Sequence, residues 1–352
     1  MTREFSSKIT AYIPVVLPNW SEKDNLIKIF EKGLNELIAL GDNLKIEFPN
    51  DFESCLNITV TKDIEKLTLY KDIWEGPPSP YWDFWFLGIS TIFEYSKDDV
   101  ERAFGHVDIL SFSQKKECYA SAAALEIKQI SSNLLLAINL SKCGLIQTGK
   151  GTVFYDDAML NLEINGTYNF FYETKIRANE NGWPQVLELE LEKVWKWLNS
   201  FDFFHESMGE DRIGRAIAAI TYLLKDNFSE AAKAINLDMI WMLVGLEALY
   251  GRGRNDLQRQ LIEKSKVFLG NSMNINKQMS RAYDLRSRII HGDIDIPFSY
   301  CIEEEEDKYK HLLSKLDDAY HTVLSLLIAT IQKLIIEEKV NLEFEYKVLE
   351  KK

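Results

Sequence analysis

Two side chains near residue 290 combine the properties that breaking a phosphodiester demands. Arg286 carries a planar guanidinium that stays charged and can donate two parallel hydrogen bonds to a phosphate. His291, five residues on, has an imidazole whose ordinary pKa of about 6.5 suits it to take and return protons near neutrality. Strand cleavage needs a base for the attacking hydroxyl, a cation for the charge gathering at phosphorus, and an acid for the leaving oxygen. One chain offers one arginine and one histidine, half of that set. Two copies about a twofold axis would bring both proton-transfer groups into one cleft. A plainer reading fits the same residues: an ion-pairing Arg286 and a helix-capping His291. The direction of any His291 pKa shift stays open, since nearby arginines lower it while Glu247, Asp293 and a helix C-terminus raise it.

The element that must position the pair is an amphipathic helix over residues 276–291. Asn276 or Ser280 can cap its start, Met279, Tyr283, Ile289 and Ile290 give it an apolar side, and Gly292 stands where a left-handed terminator belongs. Five residues at 3.6 per turn set Arg286 and His291 about 140° apart, so only the length of the arginine lets them share a groove. Ser287 and His291, four apart, share a face. Upstream, Glu247 sits among Met242, Leu243, Val244, Leu246, Ala248 and Leu249. A carboxylate in such company needs a buried partner, and an arginine from a neighbouring helix is the expected one.

The string Tyr283-x-x-Arg286-Ser287-x-x-Ile290-His291-Gly292, with Leu246-Glu247-Ala248-Leu249-Tyr250-Gly251 before it, resembles the Apea-like branch of the HEPN superfamily over residues 200–338. Ser287, usual in that branch, replaces the Asn, Asp or His of many HEPN nucleases. The resemblance implies a metal-independent, cofactor-free endoribonuclease whose site is shared by two copies joined through the C-terminal helical domain, in anti-phage defence or a toxin-like stress response. It implies Arg286 as the phosphate-stabilising residue and His291 as general base or acid. Glu247 would orient them, and Tyr283 and Ser287 would be supporting donors. Arg252, Arg254, Arg281 and Arg288 are candidates for contact with RNA phosphates. The alternative is a non-catalytic HEPN module that binds RNA, a nucleotide or a protein partner.

Charge distribution bears on both readings. The chain of 352 residues has a net charge of −13, which argues against a surface coated for nonspecific nucleic-acid binding. Yet residues 251–292 carry nine Lys/Arg against three acids, and residues 293–307 then carry seven acids and no base. The first block is a local patch fit for a polyphosphate. The run Glu303–Asp307 reads as a solvated helix start, with occlusion of the basic patch as the sharper alternative. Four scattered cysteines without a C-x-x-C pair suggest neither zinc nor a disulfide framework and fit a reducing cytosol. No signal-peptide core follows Met1, and the apolar run Val323–Ile336 is shorter than a membrane span. A cytoplasmic protein with no membrane partner is expected.

The fold class expected is α+β. The domains expected are 1–184, β-containing with long helices, 185–340, a HEPN-like all-helical bundle, and a tail 341–352. In the first, strands are predicted over 8–18, in short runs between 45 and 70, through the aromatic stretch 81–93, and over 144–155, 159–164 and 167–176; helices are predicted from Ser21 to Leu40 and over 114–140. Gly76–Pro80 is a break, and Asn165-Gly166 reads as the clearest hairpin turn. Large aromatics at 81–93 are more often core than a stacking platform, although Trp82 and Trp85 would serve a ligand sensor. This domain would be a regulatory part that meets a ligand or a regulatory protein. Thereafter only helices are predicted: 186–204, 212–224, 229–250, 255–269, 276–291 and 303–338. The last bears an apolar stripe wide enough to suggest burial against both its own bundle and a second copy.

Overall fold

The computed structural model describes residues 4–17, 23–48, 52–61, 83–156, 158–167, 170–201, 209–224, 231–253, 255–271, 275–294 and 307–345. Its contacts divide the chain into two units, Met1–Asn169 with Glu190–Trp195, and Phe170–Leu189 with Lys196–Lys352. Together they hold helices and an antiparallel sheet, an α+β protein.

The first unit is built on a sheet in the order β4-β5-β1-β7-β8, with β6 also pairing β1. β1 is Phe5–Leu17, β4 Asn57–Thr61, β5 Asp83–Tyr95, β6 Gln147–Thr148, β7 Gly151–Tyr155 and β8 Ala158–Ile164. β1 and β5 pair antiparallel along their whole length, from Phe5↔Tyr95 to Leu17↔Asp83. Both are buried on two faces at mid-length, Ile9 to Val15 and Phe86 to Ile89, which is why they read as continuous apolar runs. Of the aromatic stretch, Phe86 and Phe93 are core and Trp85 meets Phe30 edge-on at 6.0 Å; residues 81–82 lie outside the described set. A separate hairpin pairs β2 (Lys45–Phe48) with β3 (Phe52–Cys55). Helix α1 (Lys23–Gly41), short helix α2 (Lys97–Phe104) and the long α3 (Phe112–Lys142) complete the unit. α3 starts at a reciprocal cap between Ser111 and Gln114 and packs on β1, β5, β7 and β8. Its buried end is held by Lys142, whose Nζ lies 2.8 Å from Glu36.

Two expectations fail here. The hairpin joins β7 to β8 between Tyr155 and Ala158, with Asp156 at φ 45°, and not at Asn165-Gly166. Gly166 is needed for a different reason, because a Cβ there would lie 2.6 Å from the Thr148 carbonyl oxygen where Thr167 bridges Thr148. The predicted strand 167–176 is instead helix α4 (Phe171–Glu180). Phe171, Thr174 and Ala178 are buried at helical, not alternating, spacing. By contacts that helix belongs to the second unit.

The rest of the second unit is helical among the described residues. α5 (Leu191–Asn199) starts in the first unit and ends in the second; α6 (Arg212–Leu223), α7 (Ala231–Tyr250), α8 (Leu257–Leu269), α9 (Ile275–Ile290) and α10 (Asp307–Ile336) follow. The predicted helix 186–204 shrinks to α5. Leu187 is extended, its N–H and C=O both bonded at 2.8 Å to the side-chain amide of Gln332 on α10. A side chain thus satisfies the backbone pair that a helical turn would otherwise satisfy. α10 packs against α4, α7, α8 and α9. Its apolar stretch, Ser314–Ile336, is longer than the run seen from sequence and long enough for a membrane span, but 83% of the 18-residue window that qualifies it is buried inside the chain. The described stripe residues from Leu316 to Ile335 are buried within one copy. Residues 341–345 form no strand; Leu342 is buried and Phe344 packs 5.8 Å from Tyr250. The acidic run 303–306 lies outside the described residues.

One buried carboxyl gives this core a pH dependence. Burial pushes the pKa of Asp238, on α7, up to about 7. An unfolded aspartate titrates near ~3.9, so the native state holds the proton more tightly, and stability falls as pH rises from about 4 to about 7. Asp238→Asn removes that loss. Its advantage in melting temperature over the parent should be larger at about pH 8 than at about pH 5; an equal advantage at both would refute the assignment.

Candidate functional site

Helix α9 ends as its sequence demands. Gly292 has φ +75°, its N–H bonds the Ile289 carbonyl at 3.3 Å, and the Asp293 N–H bonds the Arg288 carbonyl at 2.8 Å. These two bonds, one nested in the other around a left-handed glycine, close the helix in a Schellman motif. The closure leaves His291 exposed at the helix end, beside exposed Ser287 and Ile290. Arg286 is half-buried, with a solvent-sealed Nε that has no acceptor. Among the described residues no ion pair or hydrogen bond joins Arg286 to His291 or to Glu247.

Glu247 does have a partner, but it is not the arginine expected. The Tyr283 hydroxyl donates to its Oε1 at 3.0 Å, joining α9 to α7. Three residues separate Tyr283 from Arg286, so the guanidinium lies one turn along the same face and acts on the tyrosine through its charge. Burial, then the Glu247 charge and hydrogen bond, push the Tyr283 pKa far up, with Arg286 opposing. Tyr283 is therefore a hydrogen-bond donor at physiological pH and not a base. Of the predicted site, Tyr283 and Glu247 are hydrogen-bonded and Arg286 is near enough to act on Tyr283 by its charge; His291 and Ser287 are exposed at the helix end.

The four arginines proposed for RNA contact also divide. Arg252 is exposed, while its backbone N–H and C=O are held by the side chain of Gln260 at 2.9 Å. Arg254 lies outside the described residues. Arg281 and Arg288, seven residues apart and hence on one face, line a cavity of about 640 Å³ within the second unit. Several other cations of the basic block have structural partners. Lys264 is buried and donates to the Tyr250 carbonyl at 2.6 Å, capping α7, and burial pulls its pKa down. Arg259 pairs with Asp256 and Lys266 bonds Asn276.

Sequence reasoning missed the other wall of that cavity, which comes from α4, the turn after it, and α10. Arg177 is gripped by Glu173 and Asp317, both at 2.6 Å. His321 is buried beside them, its Nδ1 2.6 Å from the Thr174 hydroxyl and its Nε2 3.3 Å from Asp317. Burial first, and the Arg177 charge second, lower its pKa against the pull of the two carboxylates. Lys315 and Trp183 also line this wall. A signal for α4 was present: Glu173 and Arg177 are four apart, the spacing of a helical ion pair.

No protein-family model, no curated protein and no solved structure matches this chain.

The Tyr283–Glu247 bond is testable by itself. Tyr283→Phe leaves a half-buried carboxylate without its donor and should lower the unfolding free energy in urea by about 1–3 kcal/mol. An unmoved midpoint would mean that water replaces the hydroxyl at no cost.

Proposed function

We propose that the second unit is a HEPN-like helical domain acting as a metal-independent endoribonuclease. Arg286 binds the scissile phosphate, and His291 moves the proton. The observation that supports this most is the state of the two side chains. Among the described residues no carboxylate pairs with the Arg286 guanidinium, which lies little more than one turn from an exposed imidazole, on a helix end closed by Gly292. Tyr283 and Glu247 hold the arginine's turn of α9 against α7. The resemblance carried by residues 246–251 and 283–292 supplies the substrate class and the defence or stress role.

In this reading one imidazole takes the proton of a ribose 2′-hydroxyl. The oxygen attacks phosphorus, the bond to the 5′-oxygen breaks, and the second copy's imidazole protonates that leaving oxygen. The products are a 2′,3′-cyclic phosphate and a 5′-hydroxyl. The guanidinium meets the extra negative charge at phosphorus, the task a metal performs elsewhere. A second copy would meet this one at the exposed end of α9, since the α10 stripe is already covered. The inward packing of Arg286 favours the second reading, a non-catalytic module in which the arginine serves only the α7–α9 contact.

Labelled single-stranded RNA in EDTA separates the two. The parent should cleave it, with Arg286→Ala and His291→Ala each slower by about 10²-fold or more. Equal cleavage by all three would dismiss the site, and salt-sensitive RNA binding without cleavage in any of them would leave the binding module.

A further inference from the structure

We infer that Gln260 is a positioning residue: its side-chain amide pre-shapes the turn between α7 and α8 so that Arg252 meets an RNA phosphate beside the Arg286 segment of α9. This role holds only if the second unit binds RNA as proposed, and it falls to a residue that itself touches no substrate. Gln260 stands near the start of α8, and its amide is used to capacity. Its Oε1 accepts from the Arg252 N–H and from the Lys264 ammonium, each at 2.9 Å. Its Nε2 donates to the carbonyls of Arg252 and Asn255, again at 2.9 Å each. Only one orientation of the amide satisfies this set, because a flipped one would set donors against the Arg252 N–H and the lysine. One side chain thus holds both backbone groups of Arg252. Gly253 takes φ +75° and Asp256 φ 57°, two left-handed residues that turn the chain into α8.

An exposed turn can satisfy its backbone with water, so a plain connection between two helices does not require four bonds from one amide. What the amide fixes is a residue whose side chain has no structural task. Arg252 is exposed, and its guanidinium pairs with no carboxylate among the described residues; Asp256, the nearest acid along the turn, is taken by Arg259 at 2.9 Å. Arg252, and Arg212 at the start of α6, also lie near enough to Lys264 to act on it by charge, with Glu263 opposing. Cations gathered in this way repel one another until an anion joins them. The helices on either side of the turn are both tied to α9 just before Arg286. Glu247 accepts from the Tyr283 hydroxyl at 3.0 Å with its side chain and from the Gly251 N–H at 2.8 Å with its carbonyl. Gln258 donates to the Ser280 hydroxyl at 2.8 Å. The turn is therefore carried beside the segment proposed to grip the scissile phosphate, where an RNA strand presents its neighbouring phosphates. Contacts of that kind set the register of the strand, and fixing Arg252 beforehand removes an ordering cost from binding.

The test is a double-mutant cycle on the full chain carrying His291→Ala, so that the probe is not cleaved. The probe is a labelled single-stranded oligouridylate, its affinity measured across a salt series. Gln260→Met keeps the reach of the side chain and removes all four bonds; it should weaken binding by about threefold or more. Arg252→Ala should weaken it too, and should lower the slope of log affinity against log salt by about 0.7, the share of one phosphate on a single strand. In the Arg252→Ala background Gln260→Met should cost nothing further, the mark of a residue that acts through the arginine. Gln260 also serves buried Lys264, so if circular dichroism shows Gln260→Met unfolded, Gly253→Ala takes its place. A Cβ there meets open space but a strained φ, so it disturbs the turn alone and should give the same pattern. An equal loss in both backgrounds, or no loss in either, would overturn the positioning role while RNA binding itself stands. Absence of salt-sensitive probe binding by the His291→Ala chain would overturn the RNA reading, and the role of Gln260 with it.

Discussion

The second unit depends on one constraint: α10 carries an apolar stretch, Ser314–Ile336, that must be hidden within the chain. Hiding it draws α4, α7, α8 and α9 around it, and its few polar side chains then become ties to other elements. Gln332 holds the extended Leu187, and Thr330 bonds the Tyr250 hydroxyl at 2.8 Å. Lys333 donates to the last carbonyl region of α8 at Phe268, and His321 meets Thr174 on α4. Each tie satisfies a group that burial would otherwise penalise, so the polar residues select which neighbours the helix accepts.

With α10 central, α9 becomes a divider with two working sides. Its inner side carries Tyr283 and Arg286 toward Glu247, and its outer side carries Arg281 and Arg288 toward the cavity. The basic block of the sequence is thus not one patch. Some of its charges cap helices, some pair locally, and the remainder is split around α9 by the 3.6-residue turn.

The first unit has a different logic. Its centre is the full-length pairing of β1 with β5, and the buried helix α3 covers the sheet. Buried hydroxyls are joined across strands: Ser54 to Thr91 at 2.7 Å, and Ser7 to Tyr155 at 2.7 Å, with Tyr155 in turn 3.2 Å from Tyr95. Burial pushes the Tyr155 pKa up to about 12, so this chain of hydroxyls stays neutral. The aromatic residues of β5 that face Tyr119 and Phe30 are used in packing.

What residues determine locally was legible before any coordinates. The period of the apolar residues placed β1, α1, α3 and the helices from α6 onward, and Gly292 marked the end of α9 because only a residue without Cβ adopts φ +75° without strain. Glu247 could be recognised as needing a partner, since a carboxylate among apolar neighbours cannot stay alone. Which partner it found was beyond local reasoning: the Tyr283 hydroxyl reached it and the guanidinium did not, a matter of how α7 and α9 cross. The same holds for the predicted strand 167–176, where His321 and Asp317 of α10 anchor Thr174 and Arg177 of a helix, and for Leu187, predicted helical, which Gln332 holds instead. A cavity made by residues 177, 183, 281 and 315 leaves no mark in a linear pattern. Its members are neighbours only because a buried helix brought their elements to one place.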